Sequence, residues 1–86
     1  MTTGVQFTGS LPANGTQRWY TFNWNPANHI VWYMMPTSPT SVGTELTWSV
    51  AVQRASAEFA TYWLKVQNLT NATVTFEGRF AILSRY

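Results

Sequence analysis

Eighty-six residues suffice for one hydrophobic core and are too few for two, so residues 1–86 are expected to form a single domain. The chain has no cysteine, which excludes disulfides and thiolate zinc sites as sources of stability. Charged residues make up 9% against a hydrophobic share of 45% and an aromatic share of 16%, the reverse of a disordered chain. The net charge of +2 comes from Arg18, Arg54, Lys65, Arg79 and Arg85, scattered singly, without the basic run or stripe that tracks phosphates, so nucleic acid is not an expected partner.

Period-two alternation of β-branched and aromatic residues runs through most of the chain, and helical patterning is almost missing. A first strand is expected over residues 4–11, with Val5 and Phe7 on one face. Pro12-Ala13-Asn14-Gly15 then reads as a hairpin turn, Asn-Gly supplying the positive φ angles. The second strand, 16–24, sets Arg18, Tyr20, Phe22 and Trp24 against Trp19, Thr21 and Asn23, and ends at Asn25-Pro26-Ala27-Asn28. The third, 29–35, is apolar on both faces, and residues 36–43 form a Pro/Ser/Thr loop.

The fourth strand, 44–54, has the clearest alternation, Leu46, Trp48, Val50 and Val52 against Glu45, Thr47, Ser49, Ala51 and Gln53, as in a half-buried strand. A short connection at 55–57 leads to a fifth, 58–68, with Ala60, Tyr62, Leu64 and Val66 opposite Phe59, Thr61, Trp63, Lys65 and Gln67. After a turn at 69–71, residues 72–84 place Val74, Phe76, Phe80 and Ile82 on one face. Gly78 falls on that inward parity and suggests a bulge or bend, so the run reads as two short strands or one bent strand.

Six or seven strands with short turns predict an all-β domain, a small antiparallel β-sandwich of immunoglobulin-like or jelly-roll-like type, with a small barrel as the alternative. The segment from Tyr62 to Val66, through Asn68-Leu69-Thr70 to Phe76, resembles the closing hairpin of immunoglobulin-like modules over about a quarter of the chain, without their Cys and Trp signature; the resemblance implies no function.

Catalytic apparatus is sparse. His29 is the lone histidine, aspartate is absent, and the carboxylates are Glu45, Glu58 and Glu77. No G-x-S-x-G motif or phosphate loop is present. A dyad of His29 with a glutamate is outweighed by the position of His29 at a strand start beside an Asn/Pro turn, where a histidine is ordinarily solvated, and Glu45 and Glu58 as a glycosidase pair by the polar parity or strand-end position of all three glutamates. No catalytic residue, cofactor or metal site is therefore expected. Three sequons, Asn14-Gly15-Thr16, Asn68-Leu69-Thr70 and Asn71-Ala72-Thr73, lie in turns where Asn and Thr chemistry explains them equally well. Residues 1–4 lack the basic and apolar regions of a secretory leader, and no apolar stretch reaches membrane-span length. The expectation is a cytoplasmic chain or an excised or mature secreted form.

The informative feature is the aromatic pairs Trp19-Tyr20, Trp32-Tyr33 and Tyr62-Trp63. Successive strand side chains point to opposite faces, so one member of each pair must leave the core. Inward Tyr20, Phe22 and Trp24 would send Trp19 outward, and inward Tyr62 would send Trp63 outward. Parity leaves Trp32 and Tyr33 open. An outer aromatic face on so small a domain predicts a partner for it.

The expected function is a non-enzymatic, lectin-like module that binds a neutral glycan or other small polar ligand and self-associates. Trp19, Trp63, Trp32 and Tyr33 would be its platforms, and Asn23, Gln67, Arg18 and Arg79 its polar partners. The alternative is a homo-oligomeric interaction module with the aromatic face as its subunit interface.

Overall fold

The structure is a computed structural model that describes the backbone of residues 1–85 and the side chains of residues 1–83. Six strands are present: β1 (Thr2–Leu11), β2 (Thr16–Trp24), β3 (Asn28–Ser38), β4 (Leu46–Arg54), β5 (Ala60–Asn68) and β6 (Val74–Arg85). They form two three-stranded sheets, ordered β1-β6-β3 and β2-β5-β4, with every pairing antiparallel. The two sheets pack as an open β-sandwich, so the sandwich expectation holds and the barrel alternative falls.

Connectivity departs from a chain of hairpins. Only β4 and β5 are paired neighbours in sequence; every other connection crosses from one sheet to the other. Residues 12–15 thus bridge the sheets instead of closing a hairpin. Their Asn-Gly signal still marks a turn, with Asn14 at φ 60 and the Gly15 N–H donating to the Pro12 carbonyl at 2.9 Å. The third strand runs three residues past Met35 because Pro36 pairs with Phe76 across the ladder.

Leu11, Met34, Leu46, Leu64, Val66, Val74 and Phe76 are the apolar centre between the sheets. One flank of it is an edge-to-face cluster in which Trp24 meets Trp32 at 5.3 Å, Phe80 at 5.3 Å and Tyr62 at 6.1 Å. Such ring pairs add about 0.5–1.5 kcal/mol each beyond the area they bury.

Two details reset the parity of the strands. A register shift between Val5 and Phe7 turns Val5 outward, 50% exposed, while Phe7 packs inward, correcting the expectation that they share a face. Opposite that shift lies Gly78, where a Cβ would stand 2.4 Å from Cε1 of Phe7. The glycine is required by the ring lying on it, and β6 runs through it as one twelve-residue strand.

Asn68, fully buried at the end of β5, ties the sheets together. Its Nδ2 donates to the carbonyls of Leu11, Pro12 and Ala72, and its Oδ1 accepts from the Thr70 N–H at 2.8 Å. The sequon at this position is thus a structural joint.

Candidate functional site

The outward positions of the β2-β5-β4 sheet make one surface. Across it Thr16, Arg18 and Tyr20 pair with Gln67, Lys65 and Trp63, which in turn pair with Thr47, Ser49 and Ala51 of β4. Rings gather at one end. Tyr20 is 58% exposed and Phe22 61%; Tyr20 lies 6.0 Å from Phe22 and 5.2 Å from Trp63.

Trp63 is held in place and in turn holds a cation. Its Nε1 donates to Oε1 of Gln53 at 2.7 Å, which fixes the plane of the indole. The Arg18 guanidinium lies 4.7 Å from the centre of that ring, within cation–π range. Two shallow depressions of about 310 and 220 Å³ share Ser49 and Lys65, and together they run from Trp63 to Gln67. At the strand rise this trough is about 13 Å long, enough for a chain segment and more than one small group.

Several expected site residues change place. Trp19 is turned inward, stacked on Phe7 at 5.7 Å and edge-on to Phe76 at 5.2 Å. Trp32 is 5% exposed and belongs to the core, so neither Trp19 nor Trp32 is a surface platform. The cause for Trp19 is a register shift between Thr21 and Trp24, with Asn23 at φ 64. Because of that bulge Trp19, Thr21 and Trp24 all face inward, while Tyr20 and Phe22 face out. The buried Thr21 hydroxyl accepts from the Trp24 indole N–H at 2.8 Å, so inward polarity costs little.

Trp63, Arg18 and Gln67 do share the trough surface. Tyr33 faces outward as well, but on the opposite sheet, with the Arg79 guanidinium 5.9 Å from its ring. Arg79 there makes a 2.9 Å ion pair with Glu77. Asn23 sits at the end of the sandwich, in a groove of about 520 Å³ that also involves Asn25, Arg54, Glu58 and Phe59. That groove is larger than either depression of the trough, but it carries charges of both signs, and Arg54 already donates to the Ala57 carbonyl at 3.2 Å.

Tyr20, Phe22 and Lys65 were missed as site residues. The signal for the first two was Asn23, a residue type that tolerates positive φ, placed just before Trp24. Glu45 and Glu58 lie beyond opposite ends of β4, which keeps them more than about 25 Å apart. That exceeds the spacing of a glycosidase pair, roughly 5–9.5 Å. Among the described residues no three His, Asp or Glu groups gather as metal ligands, and no helix is long and apolar enough to cross a membrane.

Fold and surface thus define a two-sheet β-sandwich with an aromatic and cationic trough on one outer face. Compared with family models, curated protein sequences and solved structures, the chain matches none.

Proposed function

We propose that the chain is a non-enzymatic carbohydrate-binding module whose ligand lies along the outer face of the β2-β5-β4 sheet. The observation that carries this reading is the trough itself. Exposed Tyr20 and Phe22 offer apolar faces for sugar rings at one end, and Thr16, Thr47, Ser49 and Gln67 offer hydroxyl and amide partners at the other. Aromatic rings are rigid, so little conformational entropy is lost on contact.

A glycan array followed by tryptophan-fluorescence titration tests it, since Trp63 lines the trough. The paired variant Tyr20→Ala/Phe22→Ala should lose binding by at least about tenfold while still unfolding cooperatively at a somewhat lower midpoint, because each ring contact to the ligand is worth roughly 1.5–3 kcal/mol. A silent array, or binding indifferent to both rings, rejects the reading.

A second reading, self-association, is favoured by the free edge of β4 and not by the aromatic face. This strand pairs along its backbone with β5 alone and carries no charge before Arg54. Its inward-parity Val50 and Val52 are 41% and 64% exposed. Antiparallel pairing with a second copy, centred on Val50, would place Trp48 opposite Val52 and cover both valines. Sedimentation should show a dimer in the wild type and a monomer in Val52→Lys; a monomeric wild type at micromolar concentration excludes it.

A further inference from the structure

Building on the carbohydrate reading, we infer that the trough selects an acidic glycan, a sugar chain whose carboxylate or sulfate groups sit between Arg18 and Lys65 while a neighbouring ring lies on Tyr20 and Phe22. Three observations carry this. Arg18 and Lys65 are directly opposite each other across the β2-β5 ladder, an arrangement in which like charges repel. The outward positions of β2, β5 and β4 hold no carboxylate to relieve that repulsion, and the ion pair found among the described residues is on the other sheet. Arg18 is also preorganised: cation–π contact holds its guanidinium over Trp63, whose own orientation is locked by Gln53.

An anion placed in this trough would meet two cations and the Ser49 hydroxyl at once, all lining the same depression. Its arrival removes a repulsion already present in the free protein, so part of the binding free energy comes from relief within the site. The face is exposed, so this attraction is screened and depends on salt. A single-stranded nucleic acid also brings charge and stacking bases, but strand binders track many phosphates along a basic groove, and this trough offers two cations.

The test titrates the intact chain with pairs that share a sugar backbone and differ in carrying the anionic group: oligogalacturonate against its methyl ester, and a sulfated galactan oligomer against the desulfated chain. A thymidylate oligomer is the third arm. At least one acidic member should bind about tenfold or more tighter than its neutral counterpart, because charge-assisted hydrogen bonds are stronger than neutral ones. Arg18→Gln/Lys65→Gln should abolish that preference, lowering affinity for the acidic member about tenfold or more beyond any change for the neutral one, with the unfolding midpoint kept. Raising NaCl from about 50 to about 500 mM should weaken the acidic ligands alone.

Equal affinity for acidic and neutral members overturns the acidic preference and leaves the carbohydrate reading standing. Binding of the thymidylate oligomer with silence on every sugar overturns both, as does silence throughout.

Discussion

The two outer faces of the sandwich use the same ingredients to different ends. On the β1-β6-β3 sheet a tyrosine and an arginine, Tyr33 and Arg79, are joined by Glu77, whose carboxylate lies 2.9 Å from the guanidinium. The hydrogen bond to the Glu77 carboxylate holds the Arg79 guanidinium above its ordinary range. On the β2-β5-β4 sheet an indole and an arginine, Trp63 and Arg18, have a second cation across the ladder and no acid on the face. One carboxylate separates an arginine paired within its own face, Arg79, from one that has no acid beside it, Arg18. Aromatic content alone therefore does not distinguish the two faces.

The strongest way to break the contrast is to separate the faces. Asn68 of the β5 sheet reaches the carbonyls of Leu11 at the end of β1, of Pro12 just after it and of Ala72 before β6. Asn68→Ala leaves these groups unpaired at a buried point and should lower stability by about 3–5 kcal/mol in urea unfolding. A loss below about 1 kcal/mol would show that the joint does not hold the sheets.

A smaller effect is confined to one sheet. Gly78→Ala drives a methyl into the Phe7 ring and should cost about 1–3 kcal/mol. Phe7→Leu should recover part of that cost in the double variant, a coupling expected of residues in contact. Strict additivity of the two changes would rule out the clash as the cause.

Legibility of the sequence followed the same division. Strand identities came through because alternation in β4, β5 and β6 is strong, and all six strands lie where that pattern placed them, within a few residues at their ends. Facing was read correctly for Trp63, where a leucine and a valine on the opposite parity settled the matter. It failed for Trp19 and Tyr20 because a bulge at Asn23 shifts parity inside the strand, and alternation alone cannot count an extra residue. Sheet membership was not legible, since a turn that crosses between sheets uses the same Asn-Gly chemistry as a hairpin. Lys65 looked like a solitary surface charge; only the β2-β5 register sets it against Arg18.

The contrast can be sharpened by moving charge between the faces. Lys65→Glu gives the trough the compensation that Arg79 already enjoys, and should raise stability by about 0.2–1 kcal/mol through a cross-strand pair with Arg18. It should also remove any preference for acidic ligands, so stability and binding move in opposite directions. Glu77→Gln does the reverse on the far face, freeing Arg79 beside Tyr33. If an uncompensated guanidinium beside a ring were sufficient, this variant would acquire acidic-glycan binding there. The prediction is that it does not, because Arg79 stands across the ladders from Val5 and Tyr33 and not from a second cation; new binding measured in a Lys65→Glu/Glu77→Gln background would show otherwise.

The least effect at neutral pH belongs to the layer that both faces share. Tyr62, on the inner side of β5 against Trp24 and Trp32, has its phenol pushed above the ordinary value of 10.0 by burial. Below about pH 10 the folded and unfolded chains both carry the phenol protonated, and its contribution to stability is fully present. Above that, the unfolded chain loses the proton first, so stability falls as pH rises through the folded-state value. Melting temperatures followed from neutral to alkaline pH should therefore drop more steeply for the wild type than for Tyr62→Phe, the difference cancelling whatever the tyrosines of the outer faces add. Parallel curves would place the Tyr62 hydroxyl in contact with water, and with it one flank of the core that holds the two faces back to back.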